Sequence, residues 1–199
     1  MDTREKLNTE LEALLYWLSL SKAEIQIRRK IRDEIQSIVA NSTDSCKMDM
    51  VGSFVSGMYG YSGYLMPRML PDSGLDFCCA TSDVKFDSSR VFSAITVSAQ
   101  YQEILQEFEE DGSCLITCQH IYSGIKLNIS FEKEVNTSFT HFIRYAKRVA
   151  GFRSLYTIFR YFLKQNNIPG DNNHSMVLYL LVIFYLQMCV KCDSRGVSM

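Results

Sequence analysis

Residues 125–131, Ile-Lys-Leu-Asn-Ile-Ser-Phe, alternate between apolar and polar side chains without a break. Successive side chains of an extended strand point to opposite sides. Ile125, Leu127, Ile129 and Phe131 therefore share one face, and Lys126, Asn128 and Ser130 the other. A strand with one oily face needs partner strands and a covering layer. Strand-like stretches at 48–51, 75–80 and 114–122 supply partners, whereas both ends of the chain carry helical spacing. Leu7, Leu11, Leu14, Leu15 and Leu18 recur three or four residues apart. After a break, Ile27, Ile31, Ile35 and Ile38 do so again, with Arg28, Arg29 and Arg32 among the polar positions. Between them Ser21-Lys22-Ala23-Glu24 has capping-box spacing, which predicts a helix start at that point. Residues 89–110 also read as helix, and further helices are expected over 138–149, 152–164 and 174–192. Helices, a small sheet with an inserted helix, then helices again make an α+β arrangement.

The chain has 199 residues, 47% of them hydrophobic and 22% charged, which excludes a disordered tail, a collagen-like repeat or a coiled coil. With 21 basic and 22 acidic residues the net charge is −1, so nothing global points to nucleic acid. The balance is uneven along the chain. No acid occurs from Val135 to Gly170, where Arg144, Lys147, Arg148, Arg153, Arg160 and Lys164 supply positive charge; Glu103, Glu107, Glu109, Glu110 and Asp111 form the opposite block. Such a segment suits either a polyanion-facing surface or an ordinary solvated helix face. The start carries no apolar signal core, and the apolar run at 176–190 is short for a bilayer span and holds Gln187, which predicts a buried core helix and no membrane association. Seven cysteines without a signal fit reduced thiols in an intracellular protein, cytoplasmic in preference to nuclear. The close pairs Cys114/Cys118 and Cys189/Cys192 read as buried thiols, and His120, His141 and His174 have no matched partners for catalysis.

Two places could carry chemistry. At Val51-Gly52-Ser53 a strand end runs into a probable helix start, where backbone amides and a hydroxyl can donate to phosphate oxygens; an ordinary turn has the same sequence. In the 75–80 strand, alternation puts Gly74, Asp76 and Cys78 on one face and Leu75, Phe77 and Cys79 on the other. Asp76 and Asn128 thus both project away from the hydrophobic set. Solvent exposure alone would account for each.

Taken in order, Glu24-x-x-x-Arg28, Gly52-Ser53, Pro71-x-Ser73-x-Leu75-Asp76 and Leu127-x-Ile129-Ser130-Phe131 form a recognisable series. It continues through Phe159-Arg160-Tyr161-Phe162-Leu163, Asn166-Asn167-Ile168, and Ser175 with Tyr185-Leu186-Gln187. The series resembles the non-canonical poly(A) and poly(U) polymerases, terminal RNA nucleotidyltransferases of the DNA polymerase β-like superfamily. The resemblance implies a nucleotidyltransferase palm over 48–135. It implies helices of a second, helical domain at 1–47, and a poly(A) polymerase-associated-like helical region at 136–199 that is incomplete at its C-terminus. It also implies partners, an RNA 3′ end and a nucleoside triphosphate, with a protein partner possible in addition. In that family two magnesium (or manganese) ions, held by three aspartates, bridge the attacking hydroxyl, the α-phosphate and the leaving pyrophosphate.

Matched position by position, the first aspartate is Gly74, the second Asp76 and the third Asn128. Asp76 is the one remaining metal ligand and catalytic carboxylate. Gly52, Ser53, Arg160 (where the family has lysine), Lys164 and Ser175 are the implied phosphate-binding positions. The stretch between Gly52-Ser53 and Gly74 is longer than the family's, and Asn172-Asn173-His174-Ser175-Met176-Val177 stands where the family has Gly-Gly-x-Ser-Ser-Tyr. The expectation is a weak or silent nucleotidyltransferase, needing the metal only if activity remains. The alternatives are a non-catalytic RNA- or protein-binding relative, or a truncated product without independent activity.

Overall fold

A computed structural model describes residues 2–18, 20–44, 46–51, 74–133, 149, 151–166 and 172–193. In chain order the elements are α1 (Thr3–Trp17), α2 (Lys22–Ser42), β1 (Lys47–Val51), β2 (Leu75–Ala80), α3 (Val84–Val97), β3 (Tyr101–Phe108), β4 (Cys114–His120), β5 (Lys126–Glu132), α4 (Phe152–Gln165) and α5 (Asn172–Asp193). The class is α+β, as the patterning predicts. The chain forms two compact units, one of residues 20–140 and one joining 1–19 to 141–199.

In the 20–140 unit the five strands lie in the order β1-β2-β5-β4-β3. β2 and β5 are parallel; the other neighbours are antiparallel. Leu75, Phe77 and Cys79 of β2, Leu127, Ile129 and Phe131 of β5, and Cys114, Ile116 and Cys118 of β4 share one buried face. Helices α2 and α3 cover it with Ile25, Ile31, Ile35 and Val39 and with Val84, Val91 and Ile95. Strict alternation thus does what it requires: one side of the sheet makes the core, and the other is left for polar side chains.

The capping box is present. The Glu24 amide donates to Ser21 Oγ at 3.2 Å, and the Ser21 amide donates to Glu24 Oε2 at 2.7 Å. The buried arc of α2 differs from the expected one: Ile27 is exposed, while Ile25, Arg28, Ile31, Ile35 and Val39 are buried. Arg28, expected among the polar positions, is 2% exposed. It sits three residues from both Ile25 and Ile31, which places its long stem in the apolar arc. This helix, grouped by resemblance with the N-terminal helices of the helical region, packs on the sheet.

The expected helix over 89–110 is corrected. Helix α3 starts at an Asp83 cap, whose carboxylate accepts from the Phe86 amide, and ends at Val97; residues 101–108 are strand. Tyr101, Ile104 and Leu105, and Phe108 recur at helical spacing only because β3 carries a bulge. Glu103 adopts φ 53°, and the register with β4 shifts between Gln102 and Leu105. The extra residue separates inward-facing Tyr101 and Ile104 by three positions instead of two.

In the other unit α4 meets α5 through stacked rings. Tyr156 lies 4.2 Å from Tyr179 and Phe152 5.8 Å from Tyr179, centroid to centroid. Trp17 of α1 meets Tyr161 edge-on at 6.3 Å. On α4, Phe152 is buried with Tyr156 and Thr157, while Phe159 and Phe162 are exposed. The expected helix over 138–149 lies almost wholly outside the described residues. Cys46, Cys78, Cys79, Cys114 and Cys118 are free thiols, all buried except half-buried Cys46; nothing is described of the side chains of Cys189 and Cys192. Among the described residues no helix is long and apolar enough to cross a membrane.

Two hydrogen bonds from Ser21 hold the Glu24 carboxyl below the usual carboxylate range. A depressed native pKa contributes stability above the unfolded value and loses it as pH falls. Ser21→Ala is expected to cost about 1 kcal/mol at neutral pH. In thermal melts followed by circular dichroism, the gap from the unsubstituted chain should narrow below about pH 4.

Candidate functional site

The sheet face opposite the core carries the polar residues singled out above. In the parallel ladder Asp76 of β2 is paired with Asn128 of β5, and Cys78 with Ser130. Thr117 of β4 pairs with Asn128 on the far side, and Asp49 of β1 pairs with Cys78. Paired residues in a ladder share a face, so Asp49, Asp76, Cys78, Thr117, Asn128, Ser130 and Glu132 line one surface. Asp49 was missed in the sequence, although its alternation with Met48 and Met50 is a sufficient signal.

At the centre, Asn128 Nδ2 donates to Asp76 Oδ1 at 2.8 Å. Both residues are half-buried. The amide meets the carboxylate's charge with a donor, in the space between two strands. Such a bond to a charged group contributes about 1.5–3 kcal/mol. Beside it, burial pushes the Cys78 thiol up, against the Ser130 hydroxyl and with the Glu132 and Asp49 charges adding to the rise. Cys78 is therefore a thiol at neutral pH, not a thiolate ligand or nucleophile.

Gly74 stands one residue before β2. A Cβ built there would lie 2.8 Å from the Lys126 carbonyl oxygen and 3.7 Å from the Lys126 Cβ. The obstacle is backbone, so the strands would have to part before position 74 could carry any side chain. The absence of a carboxylate here is thus built into the approach of β5.

The residues present do not fit a two-magnesium centre. Hard divalent cations take oxygen ligands, preferably charged ones; here the Asp76 carboxylate meets an amide nitrogen and a glycine, and a second carboxylate on this face, Asp49, stands opposite Cys78, two residues further along β2. Glu132 is four residues along β5 from Asn128, roughly 13 Å away at strand rise. Among the described residues no three His, Cys, Asp or Glu side chains are grouped so as to hold a metal ion. A cavity of about 430 Å³ near the β3–β4 turn is lined by Glu109, Asp111 and Glu132 with Lys133, at the opposite end of β5.

The remaining sequence-derived positions are spread between the two units. Gly52 and Ser53 lie outside the described residues. Arg160 is half-buried on α4, Lys164 occupies the next turn of α4, and Ser175 the first turn of α5. The side chains of Lys164, Ser175 and Arg153 are outside what is described. Asp76, Asn128 and Gly74 are brought together; Arg160, Lys164 and Ser175 belong to the other unit.

Several solved structures share this fold. A chain of the GLD-2/RNP-8 complex superposes with a TM-score of 0.73 at 17% identity, over 94% of this chain and 58% of that one. The Cid1 poly(U) polymerase bound to MgGTP gives 0.67 at 13%, over 81% and 49%. The polymerase core of TRAMP, an RNA surveillance complex, gives 0.67 at 19%, over 87% and 53%. These matches show a shared fold, and the chain spans between 49% and 58% of their lengths. No family model matches the sequence, and no curated protein matches it by sequence.

Gly74→Ala is expected to destabilise the chain by about 1–3 kcal/mol through overpacking against the Lys126 carbonyl, read as a lower urea midpoint. Asn128→Asp replaces a donor with a second carboxylate. It should cost about 1–3 kcal/mol at pH 7 and recover as the pair takes up a shared proton on acidification. A loss that grows toward low pH would contradict the hydrogen-bonded arrangement.

Proposed function

We propose that this chain is a catalytically silent member of the non-canonical poly(A) and poly(U) polymerase family, retaining phosphate-directed binding without nucleotidyl transfer. The observation that carries the reading is the Asn128–Asp76 hydrogen bond beside a Gly74 that has no room for a side chain. Metal-dependent phosphoryl chemistry needs charge facing the developing negative oxygens, and loss of one pre-organised stabiliser commonly costs 10²–10³ in rate. Here two of the three carboxylate positions are changed, and one of them is closed by backbone.

Binding rests on other residues. Gly52 and Ser53 at the strand end, Arg160 and Lys164 one turn apart on α4, and Ser175 at the start of α5 are the positions that would engage a triphosphate or the RNA backbone. Arg160 offers a planar fork for phosphate where the family uses a lysine. The reading includes an RNA 3′ end or nucleotide as ligand and an intracellular, preferably cytoplasmic, setting. It is supported by structural neighbours that include a poly(U) polymerase and a cytoplasmic RNA terminal U-transferase.

The test is primer extension on an oligo(A) primer with labelled ATP or UTP and magnesium or manganese, alongside a gel shift. No extension above background is expected, and Gly74→Asp with Asn128→Asp should not restore it. RNA binding should weaken steeply with salt and fall at least tenfold when Arg153, Arg160 and Lys164 are reversed to glutamate. Primer extended above background by the unsubstituted chain would overturn the silent reading. A gel shift indifferent to charge reversal would overturn the RNA-binding one.

A further inference from the structure

Cys46 stands one residue before β1 and faces the core. Side chains alternate along an extended strand, so Cys46, Met48 and Met50 share a face, and all three pack against the buried cluster that contains Cys79. The antiparallel register pairs Met48 with Cys79, which makes Cys46 the diagonal neighbour of Cys79 on that face. Diagonal neighbours across such a ladder are about 7–8 Å apart at Cα and closer at Cβ. The two sulfurs meet in a hydrogen bond, with the Thr43 hydroxyl also against Cys46. Among the described residues the other thiols lie elsewhere. Cys78 points to the opposite face of β2, and Cys114 and Cys118 are on β4, beyond β5, at least roughly 10 Å from Cys79.

Exposure separates the roles of the two. Cys79 is wholly buried, whereas Cys46 is half-buried, so an oxidant arriving from solvent reaches Cys46 first. The hydrogen bond from Cys79, with Thr43 adding to it, holds the Cys46 thiol below its ordinary value, against burial and the Asp87 charge. Cys79, as donor and buried, is pushed up. One sulfur is thus accessible and nucleophilic, and the second waits behind it as a thiol.

We propose that Cys46 and Cys79 form a thiol–disulfide switch driven by hydroperoxide, with Cys46 the attacking sulfur and Cys79 the resolving one. The Cys46 thiolate attacks one peroxide oxygen, the O–O bond breaks, and hydroxide leaves, taking up the proton that Cys46 released. Cys46 is oxidised by two electrons to the sulfenic acid while the peroxide is reduced to water. The Cys79 sulfur then attacks the Cys46 sulfur. The S–S bond forms, the S–O bond breaks, and the departing hydroxide leaves as water with the Cys79 proton. Closing the bond needs the two Cα atoms within about 7 Å, a movement of about 1 Å. It falls on Cys46, which lies outside any helix or strand. The bridge ties the head of β1 to β2, the two strands whose other face carries Asp49 and Asp76.

The test treats the full chain, at low concentration, with one equivalent of hydrogen peroxide, followed by intact mass and peptide mapping without reductant. One Cys46–Cys79 bridge per chain is expected, seen as a loss of about 2 Da that dithiothreitol reverses. Cys46→Ser should abolish it. Cys79→Ala, checked for native circular dichroism, should leave Cys46 as a sulfenic acid that dimedone traps. In the folded chain iodoacetamide should label Cys46 at least tenfold faster than Cys79, Cys114 or Cys118. A bridge between any other pair overturns the proposal, as does a Cys46 carried to sulfinic acid while Cys79 stays a free thiol. So does a chain unchanged by a tenfold excess of peroxide, or equal labelling of these thiols.

Discussion

Parallel pairing of β2 with β5 builds both the core and the polar site. On one side the ladder sets Leu75, Phe77 and Cys79 against Leu127, Ile129 and Phe131; on the other it sets Asp76 beside Asn128. A slip of one residue would turn every one of these side chains to the wrong face. The site's geometry is therefore inherited from hydrophobic burial. As long as six side chains prefer the core to water, Asp76 and Asn128 stay adjacent, whatever chemistry that position retains.

The same rigidity explains how far the site departs from a metal centre. Two strands in fixed register cannot open by a fraction of an ångström at one point without disturbing the rows on either side. With β5 pressed against Gly74, that position has no room for a side chain, and the Asp76 charge is met by the neutral Asn128 amide. That arrangement is a low-energy resting state for a carboxylate between strands, and it asks for no cation.

Much of this was legible in the residue pattern. Alternation at 125–131 and 74–79 correctly separated core from polar face, and Ser21 with Glu24 located a helix start to the residue. The failures have physical causes. A bulge at Glu103 gave β3 a helical spacing, because a period count cannot see an inserted residue. Arg28 was read as polar surface because its charge, not its aliphatic stem, governs a hydropathy reading. The crowding at Gly74 depends on a carbonyl more than fifty residues away, and no local sequence signal encodes it.

That bulge in β3 has a consequence for the molecule's life in a crowded cell. Among the described residues β3 is one margin of the sheet and, at eight residues, the longer one; it shows Leu105 and Phe108 to solvent. A straight ribbon of that kind would template the strands of neighbouring molecules and grow into fibrils. The kink at Glu103 breaks its hydrogen-bonding row, and Glu103 and Glu107 charge it, so this margin resists aggregation at little cost to the fold.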